Sequence, residues 1–182
     1  MIGGLILAAG EGRRFGGAKQ LAELDGIPLR EHAVMAMEAV PAIERIVVVL
    51  GARAGEIREG VDFGVAEPVV CEDWGQGMSA SLRTGIDALA GARTIIVTLG
   101  DQPFITPQVI ARFVDEAGTC RASYGGEPGH PVRMTAATAA RARELRGEAG
   151  ARELLRGCRL VECGHLARPD DVDTREQLEA LR

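Results

Sequence analysis

Aromatic side chains are scarce in this 182-residue chain: one Trp, one Tyr and four Phe amount to 3% of it. With hydrophobic content at 46%, the core must be built from Val, Leu, Ile, Ala and Met. Positive charge is not in excess. The formal net charge of −5 argues against nucleic acid or an anionic membrane as partner. No apolar run approaches the roughly 20 residues a membrane span requires, and the N-terminus lacks the basic start and long apolar stretch of a signal peptide. Cysteine is sparse: Cys71, Cys120, Cys158 and Cys163 form no CxxC pair. Cys158, Cys163 and His165 match no standard zinc spacing, so the thiols read as core residues in a reducing cytoplasm. Repeats, low-complexity tracts and linkers are also missing, and residues 1–182 are expected to form one domain.

What is present begins at the N-terminus. An apolar run at 2–7 reads as a buried strand, followed at once by Gly10, Gly12, Gly16 and Gly17 with Arg13, Arg14 and Lys19 among them. Bare backbone N–H groups beside three cations describe a cradle for a polyphosphate; the alternative is a surface loop with solvated charges. Two common phosphate motifs are excluded. In a P-loop frame starting at Gly12, Ala18 stands where lysine is required. In a dinucleotide frame starting at Gly10, Phe15 replaces the last glycine.

Further along, apolar runs alternate with helical spacing. Helices are expected at 28–40, 78–89, 136–145 and 149–155, with another opening at Thr106-Pro107 and a last one at the capping box Thr174-x-x-Gln177. Strands are expected at 46–50, 68–71, 94–99, 121–124, 131–134 and 160–163. This order implies an α/β fold: a mostly parallel sheet with helices on both faces. Ligands on such sheets bind at the carboxyl ends of strands, where the glycine loop and Gly100-Asp101 both sit. The stretch 125–129 reads as a flexible loop over the site.

Asp101 ends a buried strand and precedes Gln102-Pro103. Its carboxylate is expected to face the ligand crevice, because burial in the core would be too costly. Facing a polyphosphate, it needs a cation between, and Mg²⁺ with its oxygen ligands is the natural one. An Asx turn before Pro103 is the alternative.

These residues carry a resemblance. Leu7-Ala8-Ala9-Gly10-x-x-Arg13-x-x-Gly16-x-x-Lys19 together with Gly100-Asp101-Gln102-Pro103 resembles the molybdenum-cofactor nucleotidyltransferases. Trp74-Gly75-Gln76-Gly77-Met78-Ser79-Ala80-Ser81, Gly129-His130-Pro131-Val132, Gly150-Ala151-Arg152 and Asp171-Val172-Asp173-Thr174 extend it over nearly the whole chain. Ala9 and Gln102 favour the cytidylyltransferase branch over the guanylyltransferases.

The resemblance implies a single Rossmann-like three-layer domain of the nucleotide-diphospho-sugar transferase type. It implies Mg²⁺-dependent transfer of CMP from CTP to the terminal phosphate of molybdopterin, with release of pyrophosphate. Leu7, Ala8, Ala9, Gly10 and Gly12 would lie against the nucleotide, and Gly77 and Ser81 near the base. Arg13 and Lys19 would hold the triphosphate and, with Asp101, form the catalytic set. Asp101 and Asp173 would bind the metal. Trp74, Gln102, Gly129, His130 and Pro131 would face the acceptor. Ser81 could equally satisfy helix backbone. Three positions depart from the family pattern: Arg133, Glu148 and Arg175. Two other readings stay open: a guanylyl- or cytidylyltransferase for a sugar or polyol phosphate, and a non-catalytic chaperone handing the cofactor to a molybdoenzyme.

Overall fold

The computed structural model describes residues 1–16, 19–147 and 153–181; of Arg13 and Gln20 only the backbone is described. A seven-stranded sheet runs through the centre. Its strands are β1 (Ile2–Ala8), β4 (Arg45–Leu50), β5 (Glu67–Val70), β6 (Thr94–Leu99), β7 (Cys120–Tyr124), β8 (Glu127–Thr135) and β9 (Arg159–Glu162), in the order β5-β4-β1-β6-β8-β7-β9. β1 pairs in parallel with both β4 and β6, β4 with β5, and β7 with β9; β8 alone runs antiparallel to its neighbours.

Side chains alternate across the sheet, as the pleat requires. Ile6, Val48 and Ile96 face a layer made of α1 (Leu29–Glu38), α2 (Ala54–Gly60) and α4 (Pro107–Asp115). Leu5, Val47, Val49, Ile95 and Val97 face α3 (Met78–Ala88) and α5 (Ala136–Ala142). The result is a single α/β domain in three layers. Gly3 and Gly4 let the two layers close on β1. A Cβ on Gly3 would lie 2.9 Å from Leu89, and one on Gly4 3.0 Å from Met37.

From β1 the chain goes to β4 and β5 on one side, then to β6 on the other. The sheet order therefore reverses between β1 and β6, and a crevice opens at their carboxyl ends. Leu7 stands beside Leu99 there, and the Gly100 N–H donates to the Leu7 carbonyl at 3.0 Å.

Most expected elements form within a few residues of their expected ends. The Thr106 hydroxyl caps α4 by accepting from the Val109 N–H, with Pro107 in the first turn. The Thr174–Gln177 capping box opens α6 (Arg175–Ala180). The expected helix at 149–155 falls mostly outside the described residues, as do Glu148 and the Gly150-Ala151-Arg152 motif.

Two elements had no counterpart in the sequence reading. The hairpin β2 (Glu23–Leu24) and β3 (Ile27–Pro28) turns at Asp25-Gly26, both with positive φ, the geometry for which Asp-Gly is favoured. α2 buries only Ile57, so it shows no apolar stripe.

The stretch 125–129 is corrected. Gly125 and Gly126, both at positive φ, form a two-residue turn between β7 and β8, and 127–129 belong to β8. The turn is tied down rather than hanging over a site: both glycine N–H groups donate to the Glu162 carboxylate. Those bonds and the Ser123 hydroxyl hold the Glu162 carboxyl well below the usual carboxylate range.

Gly51 sets the wall between the crevice and β4. A Cβ there would lie 2.6 Å from both the Ala9 carbonyl oxygen and the Trp74 Cβ. Gly51→Ala is expected to cost about 1–3 kcal/mol, the range for overpacking, and to shift the emission of Trp74; thermal unfolding and fluorescence check both.

Candidate active site

The crevice is a cleft of about 540 Å³. One wall is the end of β1 and the glycine loop: Leu7, Ala8, Ala9, Gly10, Glu11, Gly12 and Lys19. The facing wall is the segment entering α3, with Trp74, Gly77, Met78 and Ser81; the floor is Leu99, Gly100, Asp101 and Arg30. The cleft thus gathers Leu7, Ala8, Ala9, Gly10, Gly12, Lys19, Asp101, Gly77, Ser81 and Trp74 from the residues singled out by sequence. Gly100 lacks a Cβ where one would lie 2.9 Å from the Ala8 Cβ, so β1 and β6 end in close contact.

Lys19 is the electrostatic centre. Its Nζ donates to Asp101 Oδ2 at 2.7 Å and to Asp173 Oδ1 at 3.0 Å. Burial disfavours the ammonium, but the two carboxylates outweigh that and hold its pKa above the ordinary 10.5. Arg14 reaches the other oxygen of Asp173 at 3.1 Å. Asp101 Oδ1 is buried and has no partner among the described residues.

The C-terminal segment supplies Asp173 and is fastened beside the loop. The Val172 N–H donates to the Asp101 carbonyl at 3.0 Å, and Val172 and Leu178 pack with Phe15, Leu24 and Leu29. The Arg175 guanidinium lies 5.4 Å from the centre of the Phe15 ring and donates to the Phe15 carbonyl. This departure from the family pattern therefore joins the last helix to the glycine loop.

The residues assigned to the acceptor divide. Trp74 lines the cleft. Gln102 is buried and turned to the C-terminal segment, its Nε2 donating to Asp171 Oδ1 at 2.7 Å. Burial pushes the Asp171 carboxyl up. Gly129, His130 and Pro131 lie on β8, outside the cleft lining. Gly129 packs on the Tyr124 ring, whose hydroxyl donates to the His130 carbonyl at 2.6 Å. Arg133 is turned to the other end of the sheet, donating to the Gly118 carbonyl and to Thr94 Oγ1.

Arg30 was missed by sequence reasoning, whereas Arg14, expected as one of three cations of the phosphate cradle, reaches Asp173. Arg30 sits in the first turn of α1 beside Leu29, Glu31 and His32, and no spacing rule connects it to a loop twenty residues earlier. Only the fold brings it under Ala8, whose carbonyl accepts from its Nη2 at 3.2 Å. Among the described residues, no group of three or more His, Cys, Asp or Glu side chains is placed to hold a metal. Nor is any helix long and apolar enough to cross a membrane.

Comparison with known proteins agrees with this geometry. A MobA-like NTP transferase domain matches residues 4–165. The chain is 33% identical over 196 residues to nicotine blue oxidoreductase of Paenarthrobacter nicotinovorans, covering 99% of this chain and 96% of that protein. It is 33% identical over 129 residues to molybdenum cofactor guanylyltransferase of Rhodobacter capsulatus, covering 68% of this chain and 63% of that protein. Among solved structures, Rv0371c of Mycobacterium tuberculosis superposes with a TM-score of 0.87 at 25% identity, over 99% of this chain and 96% of that one. A complex of the same protein with manganese gives 0.78 at 26% identity, over 99% and 97%. A nucleotidyl transferase from Methanothermobacter gives 0.82 at 26% identity, over 100% and 96%.

His130 offers a test of site electrostatics. Burial and then the Arg121 charge pull its imidazole down to about 4, against a weaker upward pull from Asp101. It is therefore neutral at pH 7. Below its ordinary value of 6.5 the unfolded chain binds a proton that the folded one refuses, so stability falls as pH drops from about 6.5 toward 4. An NMR titration of the His130 ring should show a midpoint near 4, and His130→Gln should remove that part of the acid destabilisation.

Proposed function

This chain belongs to the MobA-like NTP transferase family, an enzyme family of nucleotidyltransferases, and on that footing we propose that it transfers CMP from CTP to the terminal phosphate of a molybdopterin-type acceptor. One observation carries the reading. Two carboxylates from distant motifs converge on a single cation position at the mouth of a glycine-lined cleft, Lys19 Nζ lying 2.7 Å from Asp101 and 3.0 Å from Asp173.

The donor set suits a divalent ion. Asp101 and Asp173 offer hard oxygen ligands already aimed at one positive charge, and Asp101 Oδ1 has no partner among the described residues. Mg²⁺ held there would take its remaining ligands from phosphate and water and would supply charge neutralisation at the reacting phosphates. A manganese complex is known for the similar protein Rv0371c.

In the proposed reaction an oxygen of the acceptor phosphate attacks the α-phosphorus of CTP. The bond from that phosphorus to the β-phosphate bridging oxygen breaks, and pyrophosphate leaves with the electron pair. The attacking oxygen is already ionised at neutral pH, so no side chain has to remove a proton. The difficulty is repulsion: two unit charges 4 Å apart oppose each other by about 1 kcal/mol in water and by several times that in a drier site. Catalysis is then positioning and charge stabilisation. The loop N–H groups from Gly10 to Gly12 and Lys19 meet the charge that grows on pyrophosphate, joined by Arg13. Trp74 and Met78 wall the nucleotide from water. Ser81 and the backbone at Ala8, Ala9 and Gly77 read the base. Gln102 and the Gly129-His130-Pro131 stretch act on the acceptor indirectly, by fixing the segments around its path.

A second reading, oxidoreduction, is favoured by the full-length likeness to nicotine blue oxidoreductase. The absence of a dinucleotide fingerprint in the glycine loop speaks for the transferase.

Purified protein with Mg²⁺ and molybdopterin-type cofactor should release pyrophosphate from CTP faster than from GTP or ATP. Preference for GTP would refute the cytidine assignment. Oxidation or reduction of nicotine blue, without pyrophosphate release, would install the second reading. Asp101→Ala should abolish turnover with the circular dichroism spectrum unchanged. Lys19→Ala should lower kcat on the order of 10²–10³-fold, the range for losing one preorganised charge contact.

A further inference from the structure

Two charged side chains are buried among the described residues, Lys19 and Arg30. Their surroundings differ in a way that the proposed chemistry does not yet use. Lys19 is matched by two carboxylates. Arg30 is 0% exposed and pairs with no carboxylate among the described residues. Its Nη2 donates to the Ala8 carbonyl, while Nε and Nη1 have no partner among the described residues.

A guanidinium carries five N–H donors in a rigid fork. Burying one with a single bond made is costly. Burial indeed pulls Arg30 down to about 9, and Asp101 is the one charge that resists this. Holding one strand carbonyl would not require such a group; a neutral donor would do it without the charge. The guanidinium also has a defined outlook. It lines the cleft floor with Gly100 and Asp101. The point where a Gly100 Cβ would stand lies 3.7 Å from its Cζ, so a side chain there would cover the guanidinium from the cleft side. A neutral ligand group would fill the free donors but leave the charge uncompensated. An anionic oxygen does both, and a phosphate oxygen is such a group.

We propose that Arg30 is an anion hook in the floor of the cleft, whose guanidinium, through Nε or Nη1, takes a phosphate oxygen of the bound nucleoside triphosphate. The assignment rests on the nucleotide-binding reading above, though not on the choice of base or acceptor. It gives the cleft a cation that no carboxylate neutralises before substrate arrives, unlike Lys19. Nucleotide binding thereby supplies the counter-charge that the empty fold lacks.

Calorimetric titration separates the possibilities, with inorganic tripolyphosphate, CTP, cytidine and a simple phosphate monoester as probes, each with Mg²⁺. Arg30→Met should keep or raise the Tm of the ligand-free protein, because an apolar side chain replaces an uncompensated charge. It should weaken tripolyphosphate and CTP on the order of 10–100-fold, as for a charge-assisted contact, and leave cytidine unchanged. Arg30→Lys keeps the charge without the fork and should fall between; it carries the test alone if Arg30→Met does not fold. Unchanged tripolyphosphate affinity with a lowered Tm would make Arg30 structural and overturn the proposal. So would equal weakening of cytidine, which places the contact on base or ribose, or weakening of the monoester alone, which places it on the acceptor. A wild-type preference for GTP or ATP over CTP would remove the cytidine assignment only, since the tripolyphosphate arm contains no base.

Discussion

A single ammonium group joins the three parts of the chain that make the cleft. Lys19 lies in the first loop, 82 residues before Asp101 and 154 before Asp173. Without a cation between them the two carboxylates would repel each other across a partly dehydrated gap. At an effective dielectric of 20, unit charges 4 Å apart interact by roughly 4 kcal/mol, and the 28% and 30% exposure of the two side chains trims that further. The attraction is still enough to set the pose of the C-terminal segment, which then finds Phe15, Leu24 and Leu29 for Val172 and Leu178. Loop, sheet end and tail are placed by one charge balance, and the shape of the cleft follows from it.

That balance explains why the cleft is built as it is. The sheet supplies a rigid floor where its order reverses, and Gly100 keeps that floor clear of side chains. The glycine loop supplies donors without bulk. Charge is concentrated on few groups: a matched lysine, an unmatched arginine, and two carboxylates that already face a cation. Asp101 and Asp173 would hold a divalent ion with the same oxygens that Lys19 occupies. The ammonium would then be free for phosphate, so metal and lysine divide work that the lysine does alone in the empty cleft.

Much of this was legible in the residues. Apolar runs at 2–7, 46–50 and 94–99 gave strands, because buried parallel strands need little but aliphatic side chains. The caps at Thr106 and Thr174 act locally and were read correctly. Pairing of Asp101 with Asp173 as neighbours came from motif resemblance, and the structure brings them to one ammonium. Legibility failed where tertiary contact overrides local pattern. The glycines at 125 and 126 look mobile in sequence, yet Glu162 on another strand binds both N–H groups. Gln102 and Gly129 stand in motifs beside the cleft, but hydrogen bonds to Asp171 and packing on Tyr124 turn them toward neighbouring segments. Arg30 was invisible because its role depends on a crossing between α1 and β1 that no spacing encodes.

The late position of Asp173 has a bearing on how the protein comes into being. A chain emerging from the ribosome can complete the β1–β4–β6 core well before residues 172–178 are synthesised. During that interval Lys19 has only Asp101 to meet, and the loop lacks the apolar cover that Val172 and Leu178 provide. The nascent molecule thus carries a finished scaffold and an unfinished cleft until residues 172–178 have emerged.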